Sequence, residues 1–168
     1  MTITGIVLAA GAGTRAGGPK ALRPGWLGTA CTILLDGGCD SVVVVLGAAP
    51  DAPVPDDPRV SAVIAADWEE GMSHSLRAGL DAASGDAAAI SLVDLPALPA
   101  EVVRRVLAAA GPLRQAVYAG RPGHPVYMER AHWGLPLAGD RGAREYLLAH
   151  GVTEVECSDL WDGADIDS

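Results

Sequence analysis

The stretch Leu8-Ala9-Ala10-Gly11-Ala12-Gly13-Thr14-Arg15-Ala16-Gly17-Gly18-Pro19-Lys20 decides how the rest of the chain is read. It follows an apolar run, Ile3 to Leu8, with the length and composition of a buried first strand. Small residues then dominate, so the backbone can come close to a ligand. Backbone N–H groups in such a loop are suited to hold phosphate, and Arg15 and Lys20 place two cations beside them. A loop of this kind at the end of a first strand marks the nucleotide position of an open α/β sheet.

Three loop types compete for the stretch. Gly11, Gly13 and Ala16 match the dinucleotide pattern G-x-G-x-x-G/A, with Asp36 or Asp40 downstream for a ribose. That pattern opens directly into a helix, whereas Gly17, Gly18 and Pro19 interrupt one here. Gly13 and Gly18 have the spacing of a Walker loop, but Pro19-Lys20-Ala21 replaces its Lys and Ser/Thr. The third type, L-A-A-G-x-G-x-R-x-x-x-P-K, fits throughout and resembles the signature of the nucleotidyltransferases. In that resemblance the glycines hold a triphosphate that Arg15 and Lys20 neutralise.

The 168 residues suffice for one domain, 1–168, with a real core. Apolar residues make up 49% of the chain without a long unbroken span, which predicts a soluble protein. Met1 to Leu8 lacks the basic start and long apolar region of a signal peptide, so a cytoplasmic location is expected. Cys31, Cys39 and Cys157 form no C-x-x-C pair and read as buried thiols. A net charge of −9 disfavours nucleic acid and anionic membranes as partners, and leaves room for a small polyanion near Arg15 and Lys20.

Strand-like runs alternate with helical patterns, which predicts an α/β fold with a mostly parallel sheet flanked by helices. Leu27, Ala30, Cys31 and Leu34 recur at helical spacing, and Gly37-Gly38 closes that helix. Ser41 to Leu46 reads as a strand buried on both faces, and Gly47 to Pro58 as a loop. Val60 to Ile64 is a third strand, and Met72, Leu76, Leu80 and Ala83 share one face of the next helix. Ala87 to Val93 is a strand, and Glu101 to Ala110 a helix with Val102, Val103, Val106 and Leu107 inward. Gln115 to Ala119 and Pro125 to Met128 read as short strands around a Gly120–His124 loop. A helix led by Gly139-Asp140-Arg141-Gly142, with Tyr146 and Leu147 inward, precedes a final strand from Val152 to Val155.

Asp94 stands out chemically. It follows an alanine- and valine-rich strand, where an idle carboxylate would be costly, and Pro96 turns the chain just after it. A carboxylate there can bind Mg²⁺, which grips phosphate oxygens. Helix capping is the bland alternative, but Pro99-Ala100 makes a better start for the following helix. Asp165 and Asp167 alternate in an extended segment, so one of them at most joins Asp94; a solvated acidic tail is the competing reading. His74 lies between Ser73 and Ser75, but sequence neighbours do not form a triad. Those serines cap a helix or donate to a ligand. His124 reads equally as a ligand contact or a packed loop histidine. The four histidines lack metal-ligand spacing, which argues against zinc.

Together these motifs resemble the MobA-like NTP transferases, and within them the molybdenum-cofactor cytidylyltransferase branch. The series runs through Leu8–Lys20, Val42-Val43-Val44-Val45-Leu46-Gly47, Trp68-x-x-Gly71-Met72-x-x-Ser75-Leu76 and Asp94-Leu95-Pro96. It ends with Gly123-His124-Pro125-Val126, Gly139-Asp140-Arg141-Gly142-Ala143-Arg144 and Asp165-Ile166-Asp167. The resemblance implies a single three-layer, Rossmann-like α/β domain. It implies that Leu8, Ala9, Ala10, Gly11 and Gly13 hold base and phosphates, and that Arg15 and Lys20 neutralise the distal phosphates. Asp94 and Asp167 would bind Mg²⁺. Gly71, Met72, Ser75 and His124 would line the acceptor side with the Gly139–Gly142 loop. The implied reaction moves an NMP from an NTP, CTP by preference, to a phosphorylated acceptor such as molybdopterin; the alternatives are a sugar-phosphate nucleotidyltransferase and a nucleotide-binding module without turnover. A molybdenum enzyme would be the partner protein.

Overall fold

The computed structural model describes residues 1–138 and 143–165. Its strands are β1 (Ile3–Ala9), β2 (Ser41–Leu46), β3 (Val60–Ile64), β4 (Ala87–Leu92), β5 (Leu113–Tyr118), β6 (Arg121–Glu129) and β7 (Thr153–Glu156). The helices are α1 (Trp26–Asp36), α2 (Met72–Ala82), α3 (Ala100–Ala108) and α4 (Arg144–Ala149). The strands join in one sheet in the order β3-β2-β1-β4-β6-β5-β7. The β1–β2, β1–β4, β2–β3 and β5–β7 pairs are parallel, and β6 runs antiparallel to both its neighbours. The expected mostly parallel α/β sheet is therefore present.

Alternation along the strands sorts the core into two apolar layers. Val7 and Ala9 face α1 and α3, while Ile6 and Leu8 face α2 and α4, which gives three layers. Leu27, Ala30, Cys31 and Leu34 form the buried face of α1, at the predicted spacing. Val102, Val103 and Val106 are buried on α3, and Leu107 is half-buried. On α2, Leu76 and Leu80 are buried but Met72 is 45% exposed, so it is not a core residue. Gly79 lets α2 settle on the sheet, because a Cβ there would stand 2.8 Å from Ile6 and 3.0 Å from Val45. Between the helical layers, Ala87, Ala88 and Ala89 of β4 are fully buried. The three thiols are buried, and desolvation pushes Cys31 up to about 11 and Cys39 up to about 12, which leaves them protonated and unreactive. Among the described residues no helix is long and apolar enough to cross a membrane.

The hairpin after α3 departs from the expected loop. β6 already begins at Arg121, and Ala119 (φ 54°) and Gly120 (φ 80°) make the tight turn. Two positive φ angles in succession twist a two-residue turn in the hand that adjacent strands need. Pro122, Gly123 and Pro125 argue against a strand in the sequence, yet here they are accommodated by a bulge. Pairing passes from Gln115↔Val126 to Val117↔Pro122, so extra residues of β6 lie across from Ala116. A bulge suspends the ladder where Pro125 has no N–H to offer. Gln115 Nε2 donates to the Gly123 carbonyl at 3.2 Å, and the Tyr118 hydroxyl donates to the His124 carbonyl at 2.7 Å.

Candidate active site

Strand order reverses between β1 and β4, and the loops leaving their C-terminal ends diverge there. They frame a cavity of about 410 Å³. Val93 N–H donates to the Leu8 carbonyl at 3.2 Å, which carries the β1–β4 pairing to the last residue before Asp94. Ala48 N–H donates to the Ala10 carbonyl at 2.9 Å and ties the start of the glycine loop to the end of β2. Gly18 N–H closes the loop on the Gly13 carbonyl at 2.9 Å. Gly13 itself has φ 61°, and a Cβ there would lie 1.9 Å from the Gly18 oxygen. The loop does not open into a helix: Thr14–Ala16 is a single 3-10 turn, Gly17 is left-handed, and α1 starts at Trp26. That geometry departs from the dinucleotide fingerprint.

Of the residues singled out in the sequence, the cavity wall brings together Leu8, Ala9, Ala10, Gly11, Gly13, Lys20, Gly71, Met72, Ser75 and Asp94. Trp68 and Glu69 join them, on the 3-10 turn Trp68–Glu70 that precedes α2. Gly47 makes room for Trp68, since a Cβ there would meet the indole at 2.6 Å. At the floor, Lys20 Nζ lies 2.9 Å from Asp94 Oδ2, with the two side chains 17% and 15% exposed. Asp94 Oδ1 is buried and has no partner among the described residues. A buried carboxylate oxygen left open is an electrostatic demand for a cation. This ion pair joins positions 74 residues apart, and no local pattern signals it.

Other predicted residues stand off the wall. Arg15 sits exposed on the Thr14–Ala16 turn. Asp165 is exposed; Asp167 and the Gly139–Gly142 loop lie outside the described residues. His124 is carried by the β6 bulge, close enough to feel the charge of Asp94. Burial pushes its imidazole down to about 4, against a smaller opposing effect of Asp94. The unfolded chain titrates a histidine at about 6.5, so between that pH and about 4 it binds a proton that the folded chain refuses. Stability should therefore fall as pH drops through that window. In His124→Asn this part of the loss should vanish, read as the shift of the urea midpoint between pH 7 and 5. Glu156 and Asp57, both held down to about 2 by hydrogen bonds, act in a more acidic window.

Two features escaped the sequence reading. Asp67, Glu70 and His74 bring ligand atoms within 4.8 Å of one another, on and beside the Trp68 turn, and His74 Nδ1 is 2.6 Å from Asp67 Oδ2. The i, i+3 and i+7 spacing was its only trace. The second is Tyr118. Besides holding the His124 carbonyl, it meets the Trp161 ring edge-on at 5.5 Å, and a Cβ at Gly163 would lie 2.5 Å from its ring. It thus braces the bulge against the C-terminal segment. Tyr118→Phe keeps the ring and strands one carbonyl, so it should cost about 1–2 kcal/mol by denaturant unfolding. An unchanged midpoint would remove the brace.

The MobA-like NTP transferase domain matches residues 5–154. The chain belongs to that family. Nicotine blue oxidoreductase of Paenarthrobacter nicotinovorans is 36% identical over 99% of this chain and 92% of its own length. Rv0371c from Mycobacterium tuberculosis H37Rv superposes with a TM-score of 0.80 at 28% identity, over 100% of this chain and 94% of that one. Rv0371c has also been crystallised as a complex with manganese. A nucleotidyl transferase from Methanothermobacter thermautotroptrophicus shares the fold, with a TM-score of 0.75 at 23% identity over 99% of this chain and 92% of that one. The residues matched by this MobA-like NTP transferase domain include the glycine loop and Asp94, which line one cavity in this chain.

Proposed function

We propose that this chain moves a nucleoside monophosphate from an NTP, with CTP preferred, to a phosphorylated acceptor of the molybdopterin type, releasing pyrophosphate. The observation that carries this reading is Asp94, which lines the cavity with its Oδ2 held by Lys20 and its buried Oδ1 without a partner among the described residues. The donor set fits a hard divalent cation such as Mg²⁺, held by Asp94 and, in this reading, by Asp167. Such an ion, when bound, neutralises phosphoryl oxygens and so favours in-line displacement. The glycine loop at Gly11 and Gly13 seats the phosphates, with Lys20 and the exposed Arg15 balancing their charge. Gly71, Met72 and Ser75 form the acceptor side, with His124, off the cavity wall, supporting it from the β6 bulge. An acceptor phosphate oxygen bonds to the α-phosphorus as the bridge to the β-phosphate breaks, and pyrophosphate leaves with that electron pair. The acceptor monoester is ionised near neutral pH, so the protein needs no general base and works by positioning. We place the reaction in the cytoplasm, with a molybdenum enzyme receiving the product.

A second reading, hydride transfer with a dinucleotide in the same cavity, is favoured by the 36% identity to an oxidoreductase. Thermal shifts with CTP, GTP, ATP, UTP, NAD and NADPH, each with and without Mg²⁺, separate the two, since stabilisation grows with ligand over Kd. The transferase reading expects the largest shift with CTP and Mg²⁺. A dominant shift with a dinucleotide, indifferent to Mg²⁺, would favour the second. Pyrophosphate release by Asp167→Ala and Asp165→Ala tests the second ligand: only the former should fall sharply.

A further inference from the structure

We infer that Lys20 is the resident counter-ion of the metal site, exchanged for a divalent cation when a triphosphate draws its ammonium away. Nucleotide and cation then enter together. This rests on the proposed role of Asp94. The Lys20–Asp94 pair is 2.9 Å long, both side chains are more than four-fifths buried, and both line the cavity. A carboxylate at that depth requires a positive neighbour, and Lys20 satisfies one oxygen only. With the ammonium in place, an incoming divalent cation meets a carboxylate already half neutralised and a like charge beside it. A triphosphate offers Lys20 several anionic oxygens at once, and Lys20 starts its own short turn, Lys20–Leu22, directly after the glycine loop. Moving Lys20 onto phosphate exposes Asp94 at the moment the phosphates also need a cation. By linkage, each ligand should raise the affinity for the other equally.

The test reads binding, not turnover. Mn²⁺ is titrated by electron paramagnetic resonance without nucleotide, and CTP by calorimetry in EDTA. All proteins carry Asp67→Asn and His74→Ala, so that the Asp67, Glu70 and His74 cluster adds no background. The comparison runs over native Lys20, Lys20→Met, Lys20→Gln and Asp94→Asn, each checked for folding by circular dichroism; the glutamine variant keeps a polar group at the pair should the methionine variant not fold. Loss of Lys20 should tighten Mn²⁺ roughly tenfold or more and weaken CTP by a similar factor, the scale of one charge-assisted hydrogen bond. Opposite signs from one substitution are what exchange requires; a merely structural lysine would weaken both. If the Lys20 variants bind Mn²⁺ no tighter than the parent while Asp94→Asn loses it, exchange is wrong and Asp94 remains the cation ligand. If Asp94→Asn binds Mn²⁺ as the parent does, the metal role of Asp94 falls, and the exchange with it.

Discussion

Asp94→Asn should fold and bind nucleotide, yet lose turnover by about 10²–10³-fold or more, the scale of losing one charge-stabilising group from a preorganised site. The substitution keeps shape and the possibility of a hydrogen bond from Lys20, while it removes the negative charge shared by the paired Oδ2 and the unpartnered Oδ1. Helix α3 is capped by Pro99, not by Asp94, so the change should not touch that helix. The measurement is pyrophosphate release with CTP, Mg²⁺ and a molybdopterin-type acceptor, with the thermal midpoint as a folding check. Native turnover in the variant would end the metal assignment.

The other large effect is expected at Gly13. A methyl group there would stand 1.9 Å from the Gly18 oxygen and 2.6 Å from its carbon, on a residue already at φ 61°. No rotamer relieves a contact between Cβ and backbone, so the loop must open and lose its Gly18-to-Gly13 hydrogen bond. At about 1–3 kcal/mol for such strain, Gly13→Ala should weaken CTP roughly 10- to 100-fold. Gly11 gives the control, because a Cβ there meets nothing within 4 Å. Gly11→Ala should leave the thermal midpoint unchanged and weaken CTP only through contact with phosphate. If both variants bind CTP like the native chain, the loop does not seat the triphosphate.

Much of this was legible because local pattern and global role agreed. The valine run at Ser41–Leu46 and the alanine run before Asp94 could only be interior strands, and both are. The glycine loop declared itself by composition. Met72 misled because it keeps helical register with Leu76 and Leu80, yet it occupies the first turn of α2, where the helix overhangs the cavity. The β6 bulge was hidden because Pro122, Gly123 and Pro125 are breakers in isolation. Only side chains from β5, Gln115 and Tyr118, satisfy the carbonyls that the bulge frees. The Lys20–Asp94 pair was invisible as a pair, although both members were singled out for other reasons.

The alanines of β4 have a consequence for how firmly the site is held. Ala87, Ala88 and Ala89 lead toward Asp94 and are fully buried between two helical layers. Alanine has no rotamers to surrender on folding, so the first half of this strand forgoes the side-chain entropy cost that larger residues carry. It also has no alternative packings to explore once folded. The first half of the strand that leads to the carboxylate thus has no side-chain degrees of freedom, and its position in the sheet is dictated by the backbone alone. Enlarging the support, as in Ala88→Val, would add volume where closely packed neighbours leave no slack, and the displacement would be passed along the strand to Asp94.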